Sequence, residues 1–253
     1  MDVSSVSSDV FATLPLFEGV KPVVLRDLSN SARTVVVDKG ATFLTQGHAI
    51  NRFFVVLEGW CGASKGNAEG QEAILQIFRR GDFLPEPDRL TATEPSRMNL
   101  VALTSARVLT LTPEGVRRAM DQSPVFAANL LSASVQRGQE LRDHIEQLTL
   151  HSAEQRVGRF LLQMRFHNVA TDGDDIVLPF DKALIAAYLG IKPETLSRTL
   201  QFFKESGFVI ERNHLVVPDR QALCDYCDQA TMRSCRFAHT DDCLNSAHSD
   251  LAL

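Results

Sequence analysis

Residues 181–206 read DKALIAAYLGIKPETLSRTLQFFKES, and no other stretch limits the fold so tightly. Asp181 is a good N-cap, because its carboxylate can accept a hydrogen bond from an orphan N–H of a first helical turn. Leu184, Ile185, Tyr188 and Leu189 then share one helical face, and Gly190 supplies the left-handed residue that ends the helix. Pro193 opens a second helix at a position where its missing N–H costs nothing. There Leu196, Leu200 and Phe203 recur along one inward face, which turns Lys192, Glu194, Thr195, Ser197, Arg198 and Gln201 outward. Two short helices hinged at a glycine, the second with a polar outer face, make the layout of a helix-turn-helix that reads DNA. Arg pairs bidentately with a guanine edge, Glu accepts from cytosine N4, and Ser bonds a base edge or a phosphate. Glu194, Ser197 and Arg198 are therefore the candidate base readers. Lys182, Lys192, Thr195, Gln201, Lys204, Arg212 and His214 are the candidate backbone contacts.

YLGIKPETLSR at 188–198, followed by SGFVI at 206–210, resembles the winged helix-turn-helix of the Crp/Fnr family of bacterial transcription regulators. The E-x-x-S-R spelling of Glu194, Ser197 and Arg198 resembles the Fnr and FixK branch rather than the cyclic-AMP receptor branch. The resemblance implies a homodimer bound to double-stranded DNA at a palindrome with TTGAT-type half-sites, and RNA polymerase as a further partner.

Length and charge agree with a multi-part regulator. The chain has 253 residues, of which 44% are hydrophobic, enough for two ordinary cores. Its net charge of −5 argues against a protein coated for indiscriminate nucleic-acid binding. Residues 151–220 hold nine Lys or Arg and nine Asp or Glu, so any positive face there must be local. No apolar run is long enough to cross a bilayer, and MDVSSVSSDVF lacks the basic start and apolar core of a signal peptide, so a cytoplasmic protein is expected. Nucleophile-elbow, P-loop, Rossmann and HExxH motifs are all missing, and no catalytic residues are expected.

Upstream, VVV (35–37), FFVVL (53–57), AILQIF (73–78), LVAL (100–103) and RVLTL (107–111), punctuated by glycines, predict an all-β sandwich or jelly roll. The order KGATFLTQG, FFVVLEG, NAEGQE and RGDF resembles the same family's β-roll sensor, a double-stranded β-helix of the cyclic-nucleotide-binding type, with residues 14–32 as a helical lead-in. In nucleotide-binding members a Gly-Glu pair opens the phosphate cradle and an Arg-Ser pair completes it. Here Pro85-Glu86-Pro87 and Ser96-Arg97 stand at those places. Prolines remove backbone donors, so cyclic AMP and cyclic GMP are not expected to bind, Arg97 being the one residue able to rebuild the site. Haem is the alternative pocket ligand, with His48 or Cys61 as its candidate axial residues. The plainer reading makes His48 a solvated loop residue and Cys61 a small core hydrophobe.

Residues 123–150 form a long helical pattern whose stripe of Leu130, Leu131, Ser134, Arg137, Gly138, Leu141, Ile145 and Leu148 approaches heptad spacing. Leu130, Leu141, Ile145 and Leu148 are expected to pair two subunits, the alternative being that the stripe packs on the chain's own β-roll. Ser152 and Gln155 spell a capping box that opens the next helix. The expected organisation is α+β: a sensor at 1–122, a dimerisation helix at 123–150, a DNA-binding domain at 151–220 and a Cys-rich tail at 221–253. That tail gathers Cys224, Cys227, Cys235, His239 and Cys243. A Cys-x2-Cys pair grips one metal from a single turn, and the remaining ligands could close a site for an iron–sulfur cluster or for zinc. Metal-free thiols forming a redox disulfide are the third reading.

Overall fold

The computed structural model describes residues 3–6, 8–66, 72–84, 95–167, 175–211, 213–217 and 221–226. The chain forms two compact units that divide between Gln139 and Glu140.

The first unit is a β-roll. Strands β1 (Val3–Ser5), β2 (Arg33–Val37), β3 (Thr42–Leu44), β4 (Phe53–Glu58), β5 (Cys61–Gly66), β6 (Glu72–Phe78), β7 (Phe83–Leu84), β8 (Asn99–Ala102) and β9 (Ala106–Leu111) form two antiparallel sheets ordered β1-β2-β9-β4-β7 and β3-β8-β5-β6. The apolar run of β4 does not alternate because the strand is covered on both faces. Phe54 and Val56 join Val37, Cys61, Phe78, Leu84, Leu100 and Val108 in one core. Phe53, Val55 and Leu57 join a second core built with Phe11 and Phe17, Leu28 of α2 (Pro22–Ser31), Val116 of α3 (Pro113–Gln122), and Phe126 and Leu130 of α4 (Pro124–Leu150). Phe11 belongs to α1 (Ser8–Ala12), and Phe17 closes a 3-10 turn and stacks on Phe126 with ring centroids 5.6 Å apart. All five apolar runs of the sequence are strands. The short β1, β3 and β7 and the small-residue β5 are additional ones that no apolar run announces.

Helix α4 runs unbroken from Pro124 to Leu150. Leu130 is 2% exposed within the second core, so the expectation that it belongs to a subunit seam is corrected: its methyls are committed to the roll of its own chain. Arg137 is likewise a roll contact. Its Nη2 donates to Asp82 Oδ1 at 2.9 Å, and its guanidinium lies 4.7 Å from the centre of the Phe78 ring. One step of about 100° round the helix, Leu131 is 66% exposed, and Val135, Ile145 and Leu148 also face solvent.

The second unit contains α5 (Ala153–His167), β10 (Asp175–Val177), α6 (Lys182–Tyr188), α7 (Pro193–Glu205), β11 (Val209–Glu211) and β12 (His214–Val216), the strands pairing antiparallel in the order β10-β12-β11. A 3-10 turn at Gln221–Tyr226 packs on α5 with Leu223 fully buried. The tail expected from residue 221 therefore starts later, because its first six residues are part of this unit. No helix among the described residues is long and apolar enough to cross a membrane.

Candidate nucleic-acid interface

Local hydrogen bonds define the start of α5 and both ends of α6. Ser152 N donates to Gln155 Oε1 at 2.9 Å and Gln155 N donates to Ser152 Oγ at 3.2 Å, the reciprocal capping box that starts α5. Leu184 N donates to Asp181 Oδ1 at 2.9 Å and caps α6. At its other end Gly190, at φ +62°, forms a Schellman turn in which Ile191 N donates to Ala186 O at 3.0 Å and Gly190 N donates to Ala187 O at 3.2 Å. The turn redirects the chain so that Pro193 can open α7 only three residues later.

Helix α7 divides cleanly. Leu196, Thr199, Leu200 and Phe203 are buried, and each of the large side chains contributes roughly 1.5–3 kcal/mol by leaving water. Glu194, Ser197, Arg198 and Gln201 are exposed, whereas Thr195 is half-buried. Glu194 and Arg198 stand one turn apart, at the spacing of a helical ion pair, yet neither is paired among the described residues, so both charged ends remain available to a partner. Gln201 Nε2 donates to Glu205 Oε1 at 3.1 Å. Lys182 and Lys192 are exposed at the starts of α6 and α7, and Lys204 lies in the last turn of α7. His214 is exposed on the wing directly opposite Glu211, whose charge reduces the positive potential there. Arg212 lies outside the described residues.

Sequence reasoning missed the groups that hold the module from behind. Arg156 of α5 donates from Nη1 to Leu189 O at 2.8 Å, satisfying a carbonyl at the end of α6. A Cβ on Gly190 would stand 2.9 Å from Leu148 Cδ2, so Leu148 packs on the turn itself. His144 stacks on Tyr188 with centroids 4.5 Å apart, and its Nδ1 is buried without a hydrogen-bond partner among the described residues. Burial, assisted by the charge of Arg156, holds the His144 pKa below its ordinary value.

The sensor candidates are less favourably placed. His48 is exposed in a loop. Cys61 is fully enclosed in the roll core, where burial pushes its thiol up to about 12 and keeps it protonated. These are the positions of a solvated loop residue and of a small core hydrophobe. Ser96 is buried with its Oγ donating to Met98 O at 2.7 Å, while Arg97 is exposed. Pro85, Glu86 and Pro87 lie outside the described residues, as do Cys227, Cys235, His239 and Cys243. Cys224 is half-buried in the 3-10 turn, and among the described residues no three His, Cys, Asp or Glu side chains gather as a metal site.

Two family models match the chain: a Crp-like helix-turn-helix domain over residues 155–226 and a cyclic nucleotide-binding domain over residues 34–123. The nitrogen fixation regulation protein FixK of Bradyrhizobium diazoefficiens is 26% identical over 187 residues, 73% of this chain and 77% of that protein. A CRP-like cAMP-activated global transcriptional regulator of Mycobacterium tuberculosis is 21% identical over 218 residues, 85% of this chain and 97% of that protein. The structure of FixK2 from Bradyrhizobium japonicum superposes with a TM-score of 0.69 at 21% identity, covering 78% of this chain and 98% of that one, and so shares the fold.

Proposed function

The chain belongs to the Crp/Fnr family of DNA-binding transcription regulators, whose members here are regulators and not enzymes, and we propose that it binds a palindromic TTGAT-type site as a cytoplasmic homodimer. The observation that carries this is the division of α7, whose inner residues are buried while Glu194, Ser197 and Arg198 stand exposed on its first two turns. Arg198 pairs with a guanine edge, Glu194 with cytosine, and Ser197 with a base edge or phosphate. Lys182, Lys192, Thr195, Gln201, Lys204 and Arg212 hold the sugar–phosphate backbone. Two recognition helices are needed for a palindrome. The seam that pairs them lies on the C-terminal half of α4, at Leu141, Ile145 and Leu148, while Leu130 is committed to the roll. RNA polymerase is the downstream partner.

The signal enters through the cysteine tail, with oxygen, redox state or nitric oxide as its chemical class. Cys224, Cys227, Cys235 and Cys243, with His239 in reserve, are the residues that would hold an iron–sulfur cluster or zinc; a cluster would supply a group that oxidants attack, which zinc would not. Cyclic nucleotides are not the signal, for want of backbone donors at Pro85 and Pro87.

Fluorescence anisotropy on a TTGATNNNNATCAA duplex tests the DNA reading. The expected result is tight, salt-sensitive binding that a scrambled duplex does not compete away; equal affinity for both duplexes would overturn it. Iron and zinc analysis of oxygen-free preparations, wild type against Cys224→Ser/Cys227→Ser, tests the tail. Wild type lacking both metals, together with an unchanged reporter response to oxygen in the variant, would remove the tail from the signal pathway.

A further inference from the structure

Gly158 sits in the interior of α5, where glycine costs about 1 kcal/mol relative to alanine, and no turn or cap explains its presence. The explanation lies in the 3-10 turn that follows the wing. A Cβ built on Gly158 would stand 2.4 Å from both Cγ and Cδ1 of Tyr226 and 2.7 Å from its Cδ2, so the phenol ring lies flat in the notch that the missing side chain leaves. The same ring meets Phe203 of α7 at a centroid distance of 5.6 Å, and its hydroxyl donates to Glu154 Oε1 at 3.3 Å. Phe203 is buried on the inner face of α7 and is also edge-on to Phe208, at 5.1 Å, where the chain enters the wing. Leu223, fully buried, anchors the other end of the turn. Tyr226 thus touches α5 and α7 at once, from outside the helix-turn-helix itself.

We infer that Tyr226 is a positioning residue for DNA reading: seated against Gly158, it sets the depth of α7 through Phe203 and so brings Glu194, Ser197 and Arg198 into register with base edges. This rests on the DNA reading proposed above. Base-edge hydrogen bonds require placement to within about 0.5 Å, whereas phosphate contacts through long lysine side chains tolerate more. Loss of the wedge therefore harms specific binding more than non-specific binding. Cys224 lies two residues before Tyr226 and Cys227 directly after it in the chain, so residues 221–226 are the segment through which chemistry at those thiols reaches the recognition helix.

The test uses the full-length chain and anisotropy on the TTGATNNNNATCAA duplex and a scrambled one. Tyr226→Ala empties the notch, and Gly158→Ala expels the ring from the other side while giving α5 a better helix former. Each is expected to lose about tenfold in affinity for the TTGAT duplex, the lower end of what one base contact contributes, with little change on the scrambled duplex. Tyr226→Phe keeps the ring and should bind as wild type does. Because both alanine variants act on one contact, the double variant should be no worse than the single ones. Equal losses on both duplexes, additive losses, or unchanged binding by either alanine variant would overturn the positioning role. If instead the wild-type chain does not prefer the TTGAT duplex, the DNA reading itself falls, and the proposal with it.

Discussion

Leu130 and Ile145, both on α4, should respond to truncation in opposite ways. Leu130 is 2% exposed and packs among Phe17, Phe126 and Leu109, so Leu130→Ala removes a fully buried side chain and leaves a cavity that the surrounding aromatics cannot fill. The transfer and cavity contributions together come to about 3 kcal/mol. At about 3 °C per kcal/mol for a unit of this size, the melting temperature should fall by roughly 9 °C, at any protein concentration. Ile145 is 59% exposed in the single chain, and Ile145→Ala should leave that melting transition nearly unmoved. If it lies in a seam, each subunit loses about 1.4 kcal/mol, and since both copies are truncated the dimer dissociation constant should rise about a hundredfold. Scanning calorimetry at two concentrations and sedimentation equilibrium separate the two effects. The reasoning is refuted if Leu130→Ala melts like wild type while weakening the dimer, because Leu130 would then be a seam residue after all.

Arg198→Ala should cost about 1–3 kcal/mol on the TTGAT duplex and little on scrambled DNA, whereas Lys204→Ala should weaken both and reduce the salt dependence of binding; identical behaviour of the two variants would argue against their separate roles. Asp181→Ala removes the α6 cap and should destabilise the second unit by about 1 kcal/mol, measurable as a lower urea midpoint. Stability of that unit should also fall on acidification. The folded His144 pKa lies below its ordinary 6.5, so the contribution of the neutral ring is complete above that pH and is lost as pH drops through the folded value. His144→Phe keeps an aromatic stack on Tyr188, and melting curves of this variant should lose that part of the acid sensitivity; an unchanged pH profile would exonerate His144.

The DNA-binding module was readable because its signals are local. Asp181, Gly190, Pro193 and the Ser152–Gln155 pair each act within a few residues of themselves, and the bonds they make are those their types predict. The roll was readable wherever a strand carries an apolar run, and lost where small residues fill the space, as at Cys61–Ser64 of β5, all four buried. Helix α4 defeated periodicity because Leu130 and Leu131 are the same residue type at neighbouring positions, and only a distant partner decides which one is covered. The Gly158–Tyr226 contact is likewise non-local. Its one sequence signal was a helix-interior glycine without a local reason. His239 and three of the four tail cysteines lie outside the described residues, so their chemistry rests on spacing alone.

The division of the chain inside α4 bears on how such regulators can be recombined. A chimera that grafts this roll onto a foreign DNA-binding module at residue 122 would sever Phe126 and Leu130 from the core they complete, and would discard the Arg137 side chain that neutralises Asp82. The graft would expose an apolar surface under the five-stranded sheet and would invite aggregation before any question of signalling arose. Joined instead after Gln139, the same roll would keep every one of these contacts, and the new partner would inherit the first sixteen residues of α4 already seated on the roll.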